Sequence, residues 1–143
     1  MASGTRMSRR GAASAALVAG LVLVGAGTAH SEQLNRYWNT EPQGKVGVHA
    51  QGSMWKSGGN VYTKGYVKDT KADGKSARVV FAVTYFIPGE GYRTYPKSRT
   101  VGGAGKVKNF SFNFGTAYSI KVKECTFNSW GERCGKNWTI YKR

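Results

Sequence analysis

Hydrophobic and polar residues alternate with period two along most of the chain. Val46, Val48 and Ala50 alternate with Gly47, His49 and Gln51. Val61, Thr63, Gly65 and Val67 alternate with Tyr62, Lys64, Tyr66 and Lys68. Ala77, Val79, Phe81, Val83 and Tyr85 share one face, continued by Ile87, and a weaker run covers about Tyr92–Val101. Phe110, Phe112 and Phe114 form the next apolar face, followed by Ile120, Val122 and Glu124 alternating with Lys121, Lys123 and Cys125. A last short run spans Trp138–Tyr141. Successive side chains of a strand point to opposite faces, so these runs predict half-buried β-strands.

Turn-forming residues separate the runs. Ser57-Gly58-Gly59-Asn60 precedes the second, and Asp73-Gly74 between the second and third is a hairpin signal, because glycine adopts positive φ at little cost. Pro88-Gly89-Glu90-Gly91 follows the third run, and Gly102-Gly103-Ala104-Gly105 follows the fourth. About seven strands at this spacing, with no helical period after the first thirty residues, predict an all-β domain over residues 45–143. The expected architecture is a single antiparallel β-sandwich of the immunoglobulin-like kind, with a small barrel as the alternative. Residues 30–44 are polar and lack a period, and are expected to form an N-terminal arm with Tyr37 and Trp38 as a docking point.

The start of the chain follows another logic. Arg6, Arg9 and Arg10 precede an uncharged stretch rich in Ala, Val, Leu and Gly that closes on Gly25-Ala26-Gly27-Thr28-Ala29. A basic start, an apolar middle and a small-residue end make residues 1–29 a secretory signal peptide, with Gly27 and Ala29 before the cut. The expected location is therefore extracellular, with no stable membrane insertion once the signal is removed. In an oxidising compartment the two cysteines, Cys125 and Cys134, most simply form a disulfide.

Charge changes the picture further. The 143 residues carry 22 Lys plus Arg against 7 Asp plus Glu, a formal charge of +15, with 4 Trp, 8 Tyr and 6 Phe. Signal removal takes away three arginines and no aromatic residue. A small, strongly cationic and aromatic-rich domain remains, which attracts anionic polymers.

Catalytic chemistry finds little purchase. A serine hydrolase would have to use His49, and no Gly-x-Ser-x-Gly elbow is present. The seven carboxylates are scattered, with Asp69 and Asp73 explained by turn preference. Eight residues between the cysteines match neither a redox pair nor a zinc site. No catalytic residue, metal ligand or cofactor is assigned. Cations and rings interleave instead: Tyr62, Lys64, Tyr66 and Lys68 share one strand face, and Arg93, Tyr95, Lys97 and Arg99 share another. Cations neutralise anionic groups while rings stack on bases or sugar faces, so these eight residues are the expected ligand-binding set.

The Arg-containing leader, the Val67-Lys68-Asp69-Thr70-Lys71-Ala72-Asp73-Gly74 turn and the late Cys125…Cys134-Gly135 pair together resemble a loose group of small secreted actinobacterial proteins. The resemblance implies a β-sandwich-like domain with one C-terminal disulfide. The group carries no established activity, so no site residue follows from it.

The expectation for function is a secreted, non-enzymatic, cationic β-sandwich. Its partner would be an anionic polymer, a cell-wall carbohydrate or a nucleic acid. The alternatives are a small enzyme or toxin acting on a polyanion such as RNA, with His49 and a Glu as acid and base, and an inhibitor or protein-interaction module.

Processing is directly testable. N-terminal sequencing of the exported protein should read from His30; an intact Met1 would exclude signal cleavage.

Overall fold

The computed structural model describes residues 35–41 and 44–143. The expected signal peptide (1–29) and His30 lie outside the described residues. Among the described residues nine strands follow one another: β1 (Arg36–Asn39), β2 (Val48–Ser57), β3 (Asn60–Asp69), β4 (Ser76–Ile87), β5 (Gly91–Gly102), β6 (Val107–Asn113), β7 (Ser119–Asn128), β8 (Gly131–Cys134) and β9 (Trp138–Lys142). They form two antiparallel sheets. The first has the order β1-β2-β3-β6; the second has β5-β4-β7-β8, with β9 also paired to β7. Apolar faces of the two sheets meet in a common core, so the molecule is a β-sandwich.

Two strands exceed the expected set. Residues 36–39, expected within the polar arm, form β1 against β2, with Trp38 opposite Gly52. Trp38 is buried in the core, while Tyr37 beside it is exposed. The stretch between the cysteines is a hairpin, with β8 paired to the end of β7 and Cys125 directly opposite Cys134. Those two residues are disulfide-bonded. Val46 lies in the turn before β2 and is exposed, so the first run contributes to the core only from Val48 onward.

The turns play two different roles. Ser57 pairs with Asn60 across Gly58 and Gly59, whose φ values of 55° and 82° give the two-residue turn that matches strand twist. Asp73-Gly74 closes no hairpin: β3 and β4 belong to different sheets, and the loop carries the chain between them. The Gly102–Gly105 loop and the segment from Phe114 to Tyr118 cross between sheets in the same way.

The core is organised around Phe81 on β4. Its ring meets Trp38 edge-on at 5.5 Å, and lies 5.5 Å from Phe110, 5.6 Å from Phe112 and 5.3 Å from Phe114. Trp38 and Phe110 come from opposite edges of the first sheet and still stack at 6.0 Å. They reach each other because the two intervening strands carry glycine in register, Gly52 opposite Gly65. A Cβ on Gly52 would lie 2.9 Å from Trp38 Cζ2, and one on Gly65 only 2.0 Å from the Gln51 carbonyl oxygen. Trp38 extends over Gly52 to donate its indole N–H to Thr63 Oγ1 at 3.2 Å, and Thr63 passes a hydrogen bond to Ser53 O at 2.9 Å.

Phe110 and Phe114 are buried, but Phe112 is only half-buried, because β6 is an edge strand and its middle ring covers the side of the sandwich. Truncation costs should follow this ranking. Phe81→Ala should lose about 3–5 kcal/mol in urea unfolding. Phe112→Ala should lose clearly less, because less apolar area leaves water when its ring packs. Equal losses would contradict the central position of Phe81.

Candidate functional site

Pairing register determines where each predicted binding residue points. On β3, Tyr62, Lys64, Tyr66 and Lys68 alternate with the buried Val61, Thr63, Val67 and Asp69, so all four face solvent on the outer side of the first sheet. On β5, Arg93, Tyr95, Lys97 and Arg99 pair with Tyr85, Val83, Phe81 and Val79. Directly paired residues share a face, so these four lie on the inner face of the second sheet. They avoid burial because β5 is an edge strand that overhangs the core.

The β5 row therefore works as a side wall. Lys97 Nζ sits 5.7 Å from the centre of the Phe114 ring and donates to Asn113 O at 2.8 Å. The Arg99 guanidinium lies 5.8 Å from the centre of the Phe112 ring, and its Nε is buried without a hydrogen-bond partner. Arg93 pairs with Glu90 at 3.4 Å. The charged heads of Lys97 and Arg99 thus lie over aromatic rings at the side of the core, where cation and ring face attract. The two predicted rows are thus two sides of one corner. They meet at Asn113, which pairs with Tyr62 and accepts the bond from Lys97.

The outer face of the first sheet gathers further residues around the β3 row. Trp55 on β2 pairs with Tyr62, and the rings stack at 5.6 Å with planes 11° apart. Lys64 Nζ lies 5.9 Å from the Trp55 ring centre. His49 meets the Tyr66 ring edge-on at 5.7 Å. Tyr37 on β1 is 63% exposed, opposite Ser53. Gln51 and Asn109 flank Tyr66, while Ser53 and Ser111 flank Lys64. Two shallow depressions of about 480 Å³ each adjoin the Tyr37–Ser53–Lys64 row. One is bounded by Tyr66 and the other by Trp55.

Trp55 and the amides are not singled out by the sequence reading. Trp55 was within reach of it: the alternation Gln51, Ser53, Trp55 continues the first run up to the Gly58-Gly59 turn. The sequence marks Tyr37 as a docking point, but nothing local shows that Tyr37 and Trp38 sit on opposite faces of a strand.

The carboxylates occupy other surroundings. Glu124 on β7 is fully buried on the inner face of the second sheet and spans to the first. Its Oε1 accepts from Ala50 N at 2.9 Å and from the Thr40 hydroxyl, and its Oε2 accepts from Lys45 N at 2.8 Å. A Cβ on Gly44 would collide with this carboxylate. Burial pushes the Glu124 carboxyl above the usual carboxylate range, with the hydrogen bonds from Thr40, Ala50 and Lys45 and the charge of His49 pulling the other way. His49 itself lies on the outer face, with Nε2 3.2 Å from Asn39 Oδ1. Among the described residues no hydrogen bond joins His49 to a carboxylate. Cys125, Cys134 and Glu132 cluster closely, but both sulfurs are committed to the disulfide.

The arrangement defines a small disulfide-bonded β-sandwich with an aromatic, basic outer sheet face. Compared with known families, characterised proteins and solved structures, the chain matches none.

The buried carboxyl gives a pH signature. A folded-state pKa above the unfolded value means that its stabilising contribution is fully present below the unfolded pKa, about 4.3, and is lost as pH rises through the folded value. The stability of the native protein relative to Glu124→Gln should therefore decline as pH is raised from about 4 towards neutrality, measured by urea unfolding across a pH series. Parallel stability curves would show that burial leaves this carboxyl unshifted.

Proposed function

We infer that this is a secreted, cationic, non-enzymatic β-sandwich that captures an anionic polymer outside the cell on the outer face of its first sheet. One observation carries the reading: Tyr37, Trp55, Tyr62 and Tyr66 line an open sheet face around Lys64 and Lys68. Rings and cations on an open face offer a polymer continuous contact without requiring a closed pocket. The disulfide is compatible with an oxidising compartment, and the basic–apolar–small leader supports export. The excess of positive charge adds long-range attraction for an anionic partner.

An acid–base reading through His49 has less support. His49 is partnered by Asn39 and Tyr66, while the three contacts of Glu124 tie the two sheets together.

Charge capture makes affinity fall with salt, because each neutralised anionic group releases counterions. On an immobilised anionic polymer, replacing Lys64 and Lys68 with Gln should reduce the salt slope by about one per lysine. Replacing Lys121 and Lys123, which lie on the outer face of the second sheet, should leave it unchanged. Equal losses from both pairs would mean diffuse attraction and no localised site.

A further inference from the structure

We propose that the outer face of β2 and β3 binds an acidic polysaccharide in which neutral and acidic sugars alternate, laid along the two strands. The proposal rests on the binding face assigned above and names its ligand class.

The order of side chains along β3 carries it. Tyr62, Lys64, Tyr66 and Lys68 occupy successive outward positions, so ring, cation, ring and cation follow one another. Outward positions on a strand recur about every 6.7 Å. A ring accepts the apolar C–H face of a neutral sugar, and an ammonium accepts a carboxylate. A polymer with one acid for every two sugars presents these features in the same order. A polymer with a carboxylate on every sugar, such as polygalacturonate, would instead bring negative groups against the negative faces of Tyr62 and Tyr66.

The neighbours of this row favour sugars over phosphates. Across β2, Trp55 extends the Tyr62 station as a stacked pair, and His49 braces Tyr66 from its edge. Gln51 and Asn109 sit beside Tyr66, and Ser53 and Ser111 beside Lys64. Amides and hydroxyls both donate and accept, so they match sugar hydroxyls in both senses, whereas phosphate oxygens use only their N–H and O–H donors. The two depressions adjoin the Lys64 row, one against Tyr66 and one against Trp55, so each offers a ring wall within reach of the same ammonium. Gly52 and Gly65 lie on the floor of the first depression, where close approach of the β2 and β3 backbones excludes any side chain on Gly65.

The test is an NMR titration of the full chain with four probes. They are an oligosaccharide alternating N-acetylglucosamine and glucuronic acid, an oligogalacturonate, an oligothymidylate and a neutral chito-oligosaccharide. The alternating acidic probe should bind tightest, with shifts confined to β2, β3 and Tyr37. Trp55→Ala and Tyr66→Ala should each weaken it about tenfold, equivalent to ~1.4 kcal/mol. Trp55→Phe and Tyr66→Phe should retain most of the affinity, which separates loss of a ring from loss of the fold. Replacing Lys64 and Lys68 together with Gln should lower affinity for the acidic probe to that for the neutral one. Equal or tighter binding of oligothymidylate or oligogalacturonate on the same face would overturn the sugar assignment while leaving polyanion capture standing. Binding of the neutral probe as tightly as the acidic one would also overturn it. If no probe shifts this face, or shifts scatter equally over Lys121 and Lys123, both the ligand class and the binding face fall.

Discussion

Contact between the Phe81 ring and the aromatic layer of the first sheet is the interaction on which the rest of the structure depends. Phe81 projects from a central strand of one sheet and touches four rings, three supplied by the two edge strands of the other and the fourth, Phe114, by the residue that follows β6. Rings from opposite edges can meet over the sheet centre only where that centre has no side chains. Gly52 and Gly65 provide that opening, and a Cβ at either position would strike backbone or the Trp38 ring. Aromatic burial supplies much of the apolar area a domain of this size can remove from water. The first sheet's stabilising contacts are thus concentrated on its inner face.

A second tie joins the sheets at a polar point. Glu124 reaches from β7 to Ala50 on β2 and to Thr40 and Lys45 on the segments leading to it. Among the described residues no salt bridge reaches this carboxyl, so the contact depends on hydrogen bonds and on the protonation state of the acid. At the same end, the disulfide pins β8 to β7 one residue beyond Glu124. With both ties inside or at the end of the sandwich, the outer face of β2 and β3 is left with rings, lysines, amides and hydroxyls that no core contact requires. That freedom makes the face available for a ligand.

Legibility of the site varied from residue to residue. The β3 row could be read directly, since Val61, Thr63 and Val67 identify the inner face and leave Tyr62, Lys64, Tyr66 and Lys68 outside. On β5, period two grouped Arg93, Tyr95, Lys97 and Arg99 correctly on one face. Which face this was depended on pairing with Val79, Phe81 and Val83, and on β5 lying at an edge where inner-face cations still reach water. Glu124 showed the same limit. Alternation placed it with Ile120 and Val122, but only a sheet packed above it, offering Thr40, Ala50 and Lys45, makes a buried carboxyl tolerable.

The sequence alone determined the strand character of the chain, most strand positions and the pairing of its two cysteines. Each depends on near-neighbour physics: alternating burial, glycine at positive φ and the absence of competing thiols. Tertiary structure decided which turns close hairpins and which cross between sheets. Asp73-Gly74 satisfies the local geometry of either, and the outcome depends on which strands bury their apolar faces together. It also drew β1 out of a polar segment, because one tryptophan filling the space over Gly52 outweighs three neighbours, Arg36, Tyr37 and Asn39, whose side chains remain exposed. The joining of two predicted rows into a single corner was likewise a tertiary result, since no local pattern relates the outer face of β3 to the inner face of β5.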